Sequence, residues 1–263
     1  TEASWVYDAT DEKGLLQSKS LSNGQFSESY SYDSKKRQTG IDTQIDGIHY
    51  NQKLFYDSNY GRLSGKLYPS TTDASKGVAI RYEYNDRGYE TGLFDASTNY
   101  AYREVKAMTA AGQLKKQQFG NGLYQTANYS DINGLMKQIC VSSSATSCTN
   151  PIQKIDYGHD IFGNLIDSKN HQQGISEHFD YDNLHRLDSS TQTWNGHSAI
   201  TVDYAYNNIG NLLTKNDYAT GYDYTDGATG GPNAVKQVTK LNGTIVTFTY
   251  DANGNMLTGD NRI

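Results

Sequence analysis

The amino-acid sequence predicts an all-β protein, a spiralling antiparallel ribbon of about ten repeats, each made of a strand, a tight turn and a returning strand. Three observations predict this fold class. A tyrosine-centred phrase recurs along the 263 residues, and a glycine-containing turn phrase follows most of its copies. The composition, with 22 tyrosines, 25 glycines and 3 prolines, suits many strands joined by tight turns.

The recurring phrase ends in an aromatic residue, which in most copies stands directly before Asp or Asn. Its clearest copies are Tyr30-Ser31-Tyr32-Asp33, Phe55-Tyr56-Asp57, Tyr82-Glu83-Tyr84-Asn85, Ile155-Asp156-Tyr157, Phe179-Asp180-Tyr181-Asp182, Tyr204-Ala205-Tyr206-Asn207 and Phe248-Thr249-Tyr250-Asp251. The second aromatic recurs from 32 to 56, 56 to 84, 157 to 181 and 181 to 206, which are steps of 24, 28, 24 and 25 residues. Weaker copies surround Met108, Tyr129 and Tyr224. Such a period indicates a repeat protein, in which each unit packs against its neighbours.

Within one repeat, the two tyrosines of Tyr-x-Tyr lie on the same side of a strand, because side chains alternate with period two. The Asp-x-x-Gly-Asn phrase that follows predicts a turn, since Gly accepts a positive φ and Asp or Asn bonds its own backbone. A returning strand is predicted after the turn, as in residues 164–168 and 211–215. The stretch from Val105 to Leu114 has a passable helical pattern, but Gly112 and its place in the repeat favour strand.

Charge and hydropathy exclude two classes of partner. The chain has 23 Lys and Arg against 29 Asp and Glu, a net charge of −6, and its basic residues are scattered, which argues against nucleic acid binding. No apolar run approaches the eighteen or so residues that span a bilayer. Because the period extends over nearly the whole chain, residues 1–263 are expected to form a single repeat array without a separate catalytic domain, and the sequence reads as a segment of a longer protein.

The two cysteines, Cys140 and Cys148, flank a short polar loop. A disulfide across the neck of a hairpin is sterically reasonable and would fit an oxidising compartment, and two free thiols are the alternative. Zinc is disfavoured because two thiols alone do not complete its ligand set.

The Tyr-Asp anchor, the Gly-Asn-Leu or Arg-Leu turn exit and the spacing resemble the RHS, or YD-repeat, family over about residues 5–260. The closing passage from Tyr222 to Met256 and the opening Trp5-Val6-Tyr7-Asp8 are similar to bacterial RHS proteins. The order of segments also resembles the repeat region of SpvB/TcdB-like proteins of the insecticidal Tc toxin type.

This resemblance implies a ribbon that spirals into part of a hollow shell. In bacterial members the shell encloses a toxic C-terminal polypeptide, and in animal teneurins a related barrel serves adhesion. The resemblance thus implies a structural role in a secreted or cell-surface bacterial toxin, with other repeats of the same parent chain and an enclosed polypeptide as partners. The self-cleaving core segment of the family has no matching positions here, so no catalytic residue is carried over.

The repeat aspartates Asp33, Asp57, Asp182 and Asp251 recur at turn starts. Glycosidase catalysis would need two carboxylates within about 5 to 10 Å across one cleft, so we expect these residues to cap turns. His171, His178 and His185 are seven residues apart, a spacing that does not gather three imidazoles on strands, and we expect neither metal nor cofactor.

A binding module is the alternative function. Tryptophan and tyrosine rings beside amides and carboxylates can grip sugars, and Trp5 and Trp194, which lie outside the main phase of the repeat, are the candidate glycan contacts. A host-surface protein is the other possible partner of such a module. Against glycan binding, the regular phase predicts that most rings pack as cross-strand pairs.

Overall fold

The computed structural model describes residues 2–7, 14–70, 77–225 and 230–260, so that Asp8 of the opening phrase lies outside the described residues. Across these ranges the regular structure consists of strands with no helix, and every strand pair is antiparallel. The predicted all-β fold is therefore confirmed. The described residues hold no helix of the length and hydropathy needed to cross a membrane.

The chain divides into two compact units, residues 1–126 with 143–147 and residues 127–142 with 148–263, each described by itself. In the first, the strands are β1 (Ala3–Tyr7), β2 (Leu16–Leu21), β3 (Phe26–Tyr32), β4 (Gln38–Ile45), β5 (Ile48–Tyr56), β6 (Leu63–Leu67), β7 (Ala79–Tyr84), β8 (Glu90–Asp95), β9 (Ala101–Met108) and β10 (Leu114–Phe119). β11 (Tyr124–Tyr129) contains the residue at which the units divide.

In the second unit the strands are β12 (Met136–Ser142), β13 (Gln153–His159), β14 (Leu165–Asn170), β15 (Ile175–Tyr181), β16 (Leu187–Trp194), β17 (Ile200–Tyr206), β18 (Leu212–Lys215), β19 (Ala219–Asp223), β20 (Gln237–Lys240), β21 (Ile245–Thr247), β22 (Thr249–Tyr250) and β23 (Met256–Thr258). In both units each strand pairs with the next along the chain, and β22 and β23 form a hairpin apart from the main ladder. The Val105 to Leu114 stretch runs from β9 through a turn into β10, which confirms the prediction of strand there.

Turns that begin with Asp or Asn follow β3, β5, β7, β13, β15 and β17, and we call the sheet edge that they form in each unit the Asp-turn edge. Because consecutive strands are antiparallel, these turns lie side by side within their unit, and the turns after β4, β14 and β16 lie at the opposite edge. The hairpin of β22 and β23 carries a further turn of this kind at Asp251.

A β-bulge accompanies most of the Asp turns. In β3–β4, Ser31 pairs with Gly40 but Tyr32 pairs with Gln38, so one residue of the returning strand is left over. The same break falls at Tyr56, Tyr84, Tyr181, Tyr206 and Tyr250. A bulge bends its strand and increases the local right-handed twist, so the repeat adds twist at regular intervals.

The Tyr-x-Tyr alternation is present as predicted. Tyr30 and Tyr32 are half-buried while Ser31 is exposed, and Tyr204 and Tyr206 are half-buried while Ala205 is exposed. Phe55 differs: it lies directly before Tyr56, takes the outward position, and is 50% exposed. Few described residues are fully buried, among them Ala127, Cys140, Ala219 and Val238, so backbone ladders and contacts between strands replace a large apolar core.

One predicted copy is out of phase. The turn of β13–β14 begins at Asp160, and the bulge falls at His159, so His159 takes the place that Tyr32 has in β3. The sequence pattern instead predicts Tyr157 at this place. Tyr157 and His159 are two residues apart and share one face of the strand, and the aromatic pattern alone therefore does not fix the phase.

Cys140 and Cys148 form a disulfide, with their Cα atoms 6.1 Å apart. Cys140 is buried within β12, two residues before the strand ends. The bond closes a short loop, for which the chain-entropy model gives a stabilisation of about 2 kcal/mol.

Reducing this bond should therefore lower the free energy of unfolding by about 2 kcal/mol, because the unfolded chain regains the freedom of the loop. Urea unfolding with and without dithiothreitol measures the change. The matched control is Cys140→Ala/Cys148→Ala, whose unfolding should not respond to dithiothreitol. Equal stability of the oxidised and reduced wild type would contradict a stabilising bond.

Candidate functional site

The Asp182 turn shows the geometry of the Asp-turn edge. The backbone N–H of Asp182 donates to the carbonyl of Arg186 at 2.9 Å. One carboxylate oxygen accepts from the N–H groups of Leu184 (2.8 Å) and Arg186 (3.0 Å), and the other accepts from Nε of Arg186 at 2.7 Å. Both oxygens are therefore engaged inside the turn.

The same arrangement recurs with small changes at the other turns. Asp33 accepts from Lys35 and Arg37, Asp160 from Phe162 and Asn164, and Asp251 from Asn253 and Asn255. Asn85 and Asn207 make the backbone contacts with an amide oxygen. The prediction that the repeat aspartates cap turns is confirmed.

These hydrogen bonds favour the ionised carboxylates. The N–H of Tyr60, with further contributions from Arg62, lowers the pKa of Asp57 from 3.8 to about 2. The backbone and side chain of Arg37 lower the pKa of Asp33, and those of Arg186 lower the pKa of Asp182. These carboxylates are therefore ionised at neutral pH and do not act as proton donors there, because a catalytic proton donor needs a pKa near the working pH.

The arginine at the exit of the turn also reaches the next repeat. The guanidinium of Arg37 lies 4.3 Å from the ring centroid of Tyr56, and that of Arg62 lies 4.6 Å from the ring of Tyr84. In the second unit Arg186 lies 4.7 Å from the ring of Tyr206. Each is a cation–π contact between consecutive repeats.

The hydroxyl of the second tyrosine donates a hydrogen bond to a backbone carbonyl of the preceding repeat. Tyr56 donates to the carbonyl of Gln38 at 2.7 Å, and the β4–β5 ladder ends at Gly40 and Lys53, before it reaches this carbonyl. The tyrosine therefore supplies a donor that the ladder does not. Tyr32, Tyr84, Tyr181 and Tyr250 make the same bond to Leu16, Leu63, Leu165 and Val235, at 2.7 to 2.9 Å.

The sequence interpretation missed this pairing of arginine, carboxylate and neighbouring ring. Arg37, Arg62 and Arg186 recur in the sequence at the exit of the turn, which was the available signal. Their aromatic partners are about twenty residues further on, and no local pattern links the two.

The tips of successive turns in the second unit carry exposed aliphatic and aromatic side chains. Ile132, Phe162, Leu184 and Ile209 are 65 to 97% exposed. The turns adjoin one another, since Nδ2 of Asn164 lies 2.9 Å from Nδ1 of His185 and Arg186 donates to the carbonyl of Asn207 at 3.0 Å. These tips form an apolar row along the Asp-turn edge of this unit.

The candidate glycan contacts Trp5 and Trp194 lie in different units. Trp5 is in β1, where it pairs with Lys19 of β2 and is 57% exposed. Trp194 closes β16 and lines an open groove of about 350 Å³ with Lys169, His171 and Asn195. Its ring lies 5.0 Å from that of His197. Trp194 thus lies in a groove with polar groups that could orient a ligand.

The three histidines of regular spacing have separate partners. His171 contacts Asp156 at 2.6 Å, and His185 contacts Asn164. Asp167, at 2.9 Å, raises the pKa of His178. Over the part of the chain that the structure describes, no group of three or more His, Cys, Asp or Glu side chains is arranged to hold a metal ion.

No known family profile matches the sequence, and neither does any curated protein. Solved structures do match. The crystal structure of TcdB2-TccC3 has a TM-score of 0.56 at 14% identity, and that of TcdB2-TccC3-Cdc42 has a TM-score of 0.55 at 15% identity. Each match covers 95% of this chain and 15% of the longer chain, so this chain spans a small part of their length. At such identities the likeness shows the fold, an antiparallel ribbon of the kind found in those proteins.

Replacing Tyr181 by Phe removes the donor to the carbonyl of Leu165 and leaves the ring in place. The expected cost is about 1 kcal/mol of unfolding free energy, measured by urea unfolding. Tyr60→Phe is the matched control, since that side chain is 74% exposed, and it should change little. Equal changes in unfolding free energy for the two substitutions would show that the hydroxyl bond does not stabilise the fold.

Acid should weaken the Asp57 turn. Because the folded pKa of Asp57, about 2, lies below its ordinary 3.8, its contribution to stability is present at neutral pH and is lost as the pH falls through this window. Asp57→Asn keeps an acceptor oxygen but has no charge. Its melting temperature should therefore decrease less than that of the wild type as the pH falls from 3.8 to about 2. Asp131→Asn, at an exposed turn tip, is the control, and identical pH profiles for wild type and Asp57→Asn would refute the assignment.

Proposed function

We propose that the chain is a structural segment of the wall of a secreted bacterial toxin shell, which encloses a polypeptide cargo. The observation that carries this proposal is the recurring tie between consecutive hairpins, which a tyrosine hydroxyl makes at five positions and a turn arginine at three. These contacts join neighbouring hairpins into a longer sheet. The aspartates and arginines of the turns are engaged in hydrogen bonds within that sheet.

Two further observations support a wall. The sequence resemblance to SpvB/TcdB-like proteins of the Tc toxin type and the fold match to TcdB2-TccC3 agree with each other. The exposed apolar tips along the Asp-turn edge need cover, which other repeats of the parent chain would provide. We assign no catalytic residue, because the repeat aspartates are occupied by their own turns.

The face that carries the tyrosines suits a hydrated interior. Arg103 bonds Glu90 and donates to the side chain of Gln117 at 3.3 Å, and Gln117 donates to Gln125 at 3.1 Å. Polar groups with satisfied partners between tyrosine rings can face water or an incompletely folded polypeptide.

Protease protection tests containment in the full-length protein that carries this segment. A wall protects the cargo, so thermolysin should leave the cargo intact in the wild type and cleave it in Tyr181→Ala/Arg186→Ala, in which two ties between repeats are lost. Trp194→Ala, which changes no tie, is the control. Cleavage of the cargo at equal rates in the wild type and the tie variant would contradict the proposal.

The second candidate is a glycan-binding module for the cell surface, and the groove beside Trp194 is the observation that favours it. A sugar face can stack on the indole while Lys169, His171 and Asn195 offer donors. Trp5 on β1 is the other candidate contact.

A glycan array followed by calorimetry decides between the two. If the module reading is right, saturable binding should be lost in Trp194→Ala, because the stacking surface is removed, and Trp5→Ala shows whether β1 contributes. Silence across the array with folded protein, or binding unchanged in both variants, would leave the wall as the better account.

A further inference from the structure

An open groove of the second unit lies beside the Asn207 turn. It has a volume of about 580 Å³ and is lined by Asn211, Leu213, Tyr222, Tyr224 and Pro232, among others. Its lining therefore combines aromatic and aliphatic side chains with amide groups.

The position of this groove in the repeat is informative. At three other turns the space between the exit of the turn and the next repeat holds a guanidinium, that of Arg37, Arg62 or Arg186, which bonds its own aspartate and lies over a tyrosine ring. At the Asn207 turn both charged partners are absent, since Asn207 stands in the place of the aspartate and Asn211 in that of the arginine.

The asparagines keep the backbone geometry of the turn. Asn207 accepts from the N–H groups of Ile209 (3.1 Å) and Asn211 (2.9 Å), as Asp182 does in its turn. The side chain of Asn211 donates to the carbonyl of Pro232 at 2.9 Å, the counterpart of the bond from Arg186 to Asn207. The shorter amide makes this bond but supplies no planar cation to cover the rings.

Asn164 also stands in the place of the turn arginine, but the space beside it is filled. Its side chain contacts His185 of the neighbouring turn, whose ring lies 4.8 Å from the ring of Phe162, so an imidazole occupies the position beside Asn164.

The chemistry of the groove suits a cation. Tyr222 and Tyr224 line the groove, and burial raises the pKa of both phenols, so both are neutral at physiological pH. Asp223 also lines the groove, and its bonds from Thr225 lower the pKa of its carboxyl, which is therefore ionised. Lys236 lies near enough to Asp223 to interact with it electrostatically, but the lining includes no Lys or Arg.

We propose that this groove binds the guanidinium group of an arginine side chain presented by a partner polypeptide. The incoming guanidinium takes the place that the chain's own arginine fills at the Asp33, Asp57 and Asp182 turns, stacked on tyrosine and near a carboxylate. The net charge of −6 favours the approach of a cationic partner. The site adds specific polypeptide recognition to a wall segment and does not depend on the wall proposal.

Binding of short peptides to the whole chain tests this site. The probe is acetyl-Gly-Gly-Arg-Gly-Gly-amide, with the citrulline peptide as its neutral isostere, measured by calorimetry. The arginine peptide should bind about tenfold tighter than the citrulline peptide. Equal affinities, or no binding of the arginine peptide, would overturn the proposal.

Three variants locate the binding. Tyr224→Leu should lose the preference for arginine, and Tyr224→Phe, which keeps the ring face, should retain it. Asn207→Asp/Asn211→Arg restores an internal arginine, so it should block the peptide and raise the melting temperature. Undiminished binding by this folded, self-filled variant would place the peptide elsewhere and refute the site.

Discussion

The hydroxyl bond from the second tyrosine of one repeat to a backbone carbonyl of the previous repeat is the constraint on which the rest of the structure depends. It occurs where the ladder between neighbouring hairpins stops, as at Gln38 and Leu165, and it provides the donor that the ladder lacks. Because the ring must also pack, the position requires an aromatic side chain with a polar tip, which explains why tyrosine recurs.

The turn that follows the tyrosine links its repeat to the next one. Its aspartate orders the turn and holds an arginine, and the arginine covers the tyrosine ring of the next repeat, as Asp182, Arg186 and Tyr206 show. Stability is thus distributed between neighbours along the chain, as in other repeat proteins. Side chains engaged in these contacts build the surface of the sheet and are not available for binding. We therefore expect binding at the places where the repeat pattern changes, such as Asn207 and Asn211.

The sequence was sufficient for the fold class, because aromatic alternation, turn glycines and Asp caps are all local signals, as in Tyr30 to Asp33. It did not predict the bulges, since skipping one residue of the returning strand leaves the Tyr-x-Tyr pattern unchanged. It placed the β13 repeat at Tyr157, where the structure places it at His159. The groove beside Asn211 could not be predicted either, because it is recognised only after the arginine–ring contacts of the other turns are known.

Hydrogen exchange of the whole chain, followed by mass spectrometry, tests the claim that neighbouring repeats hold one another. The variant is Arg186→Met, which removes the bond to Asp182 and the contact with Tyr206. The account predicts faster exchange in β15 to β18, where this tie acts, with β3 to β5 unchanged from the wild type. A uniform increase over all strands would contradict it, because that result requires one cooperative core in place of a chain of local ties.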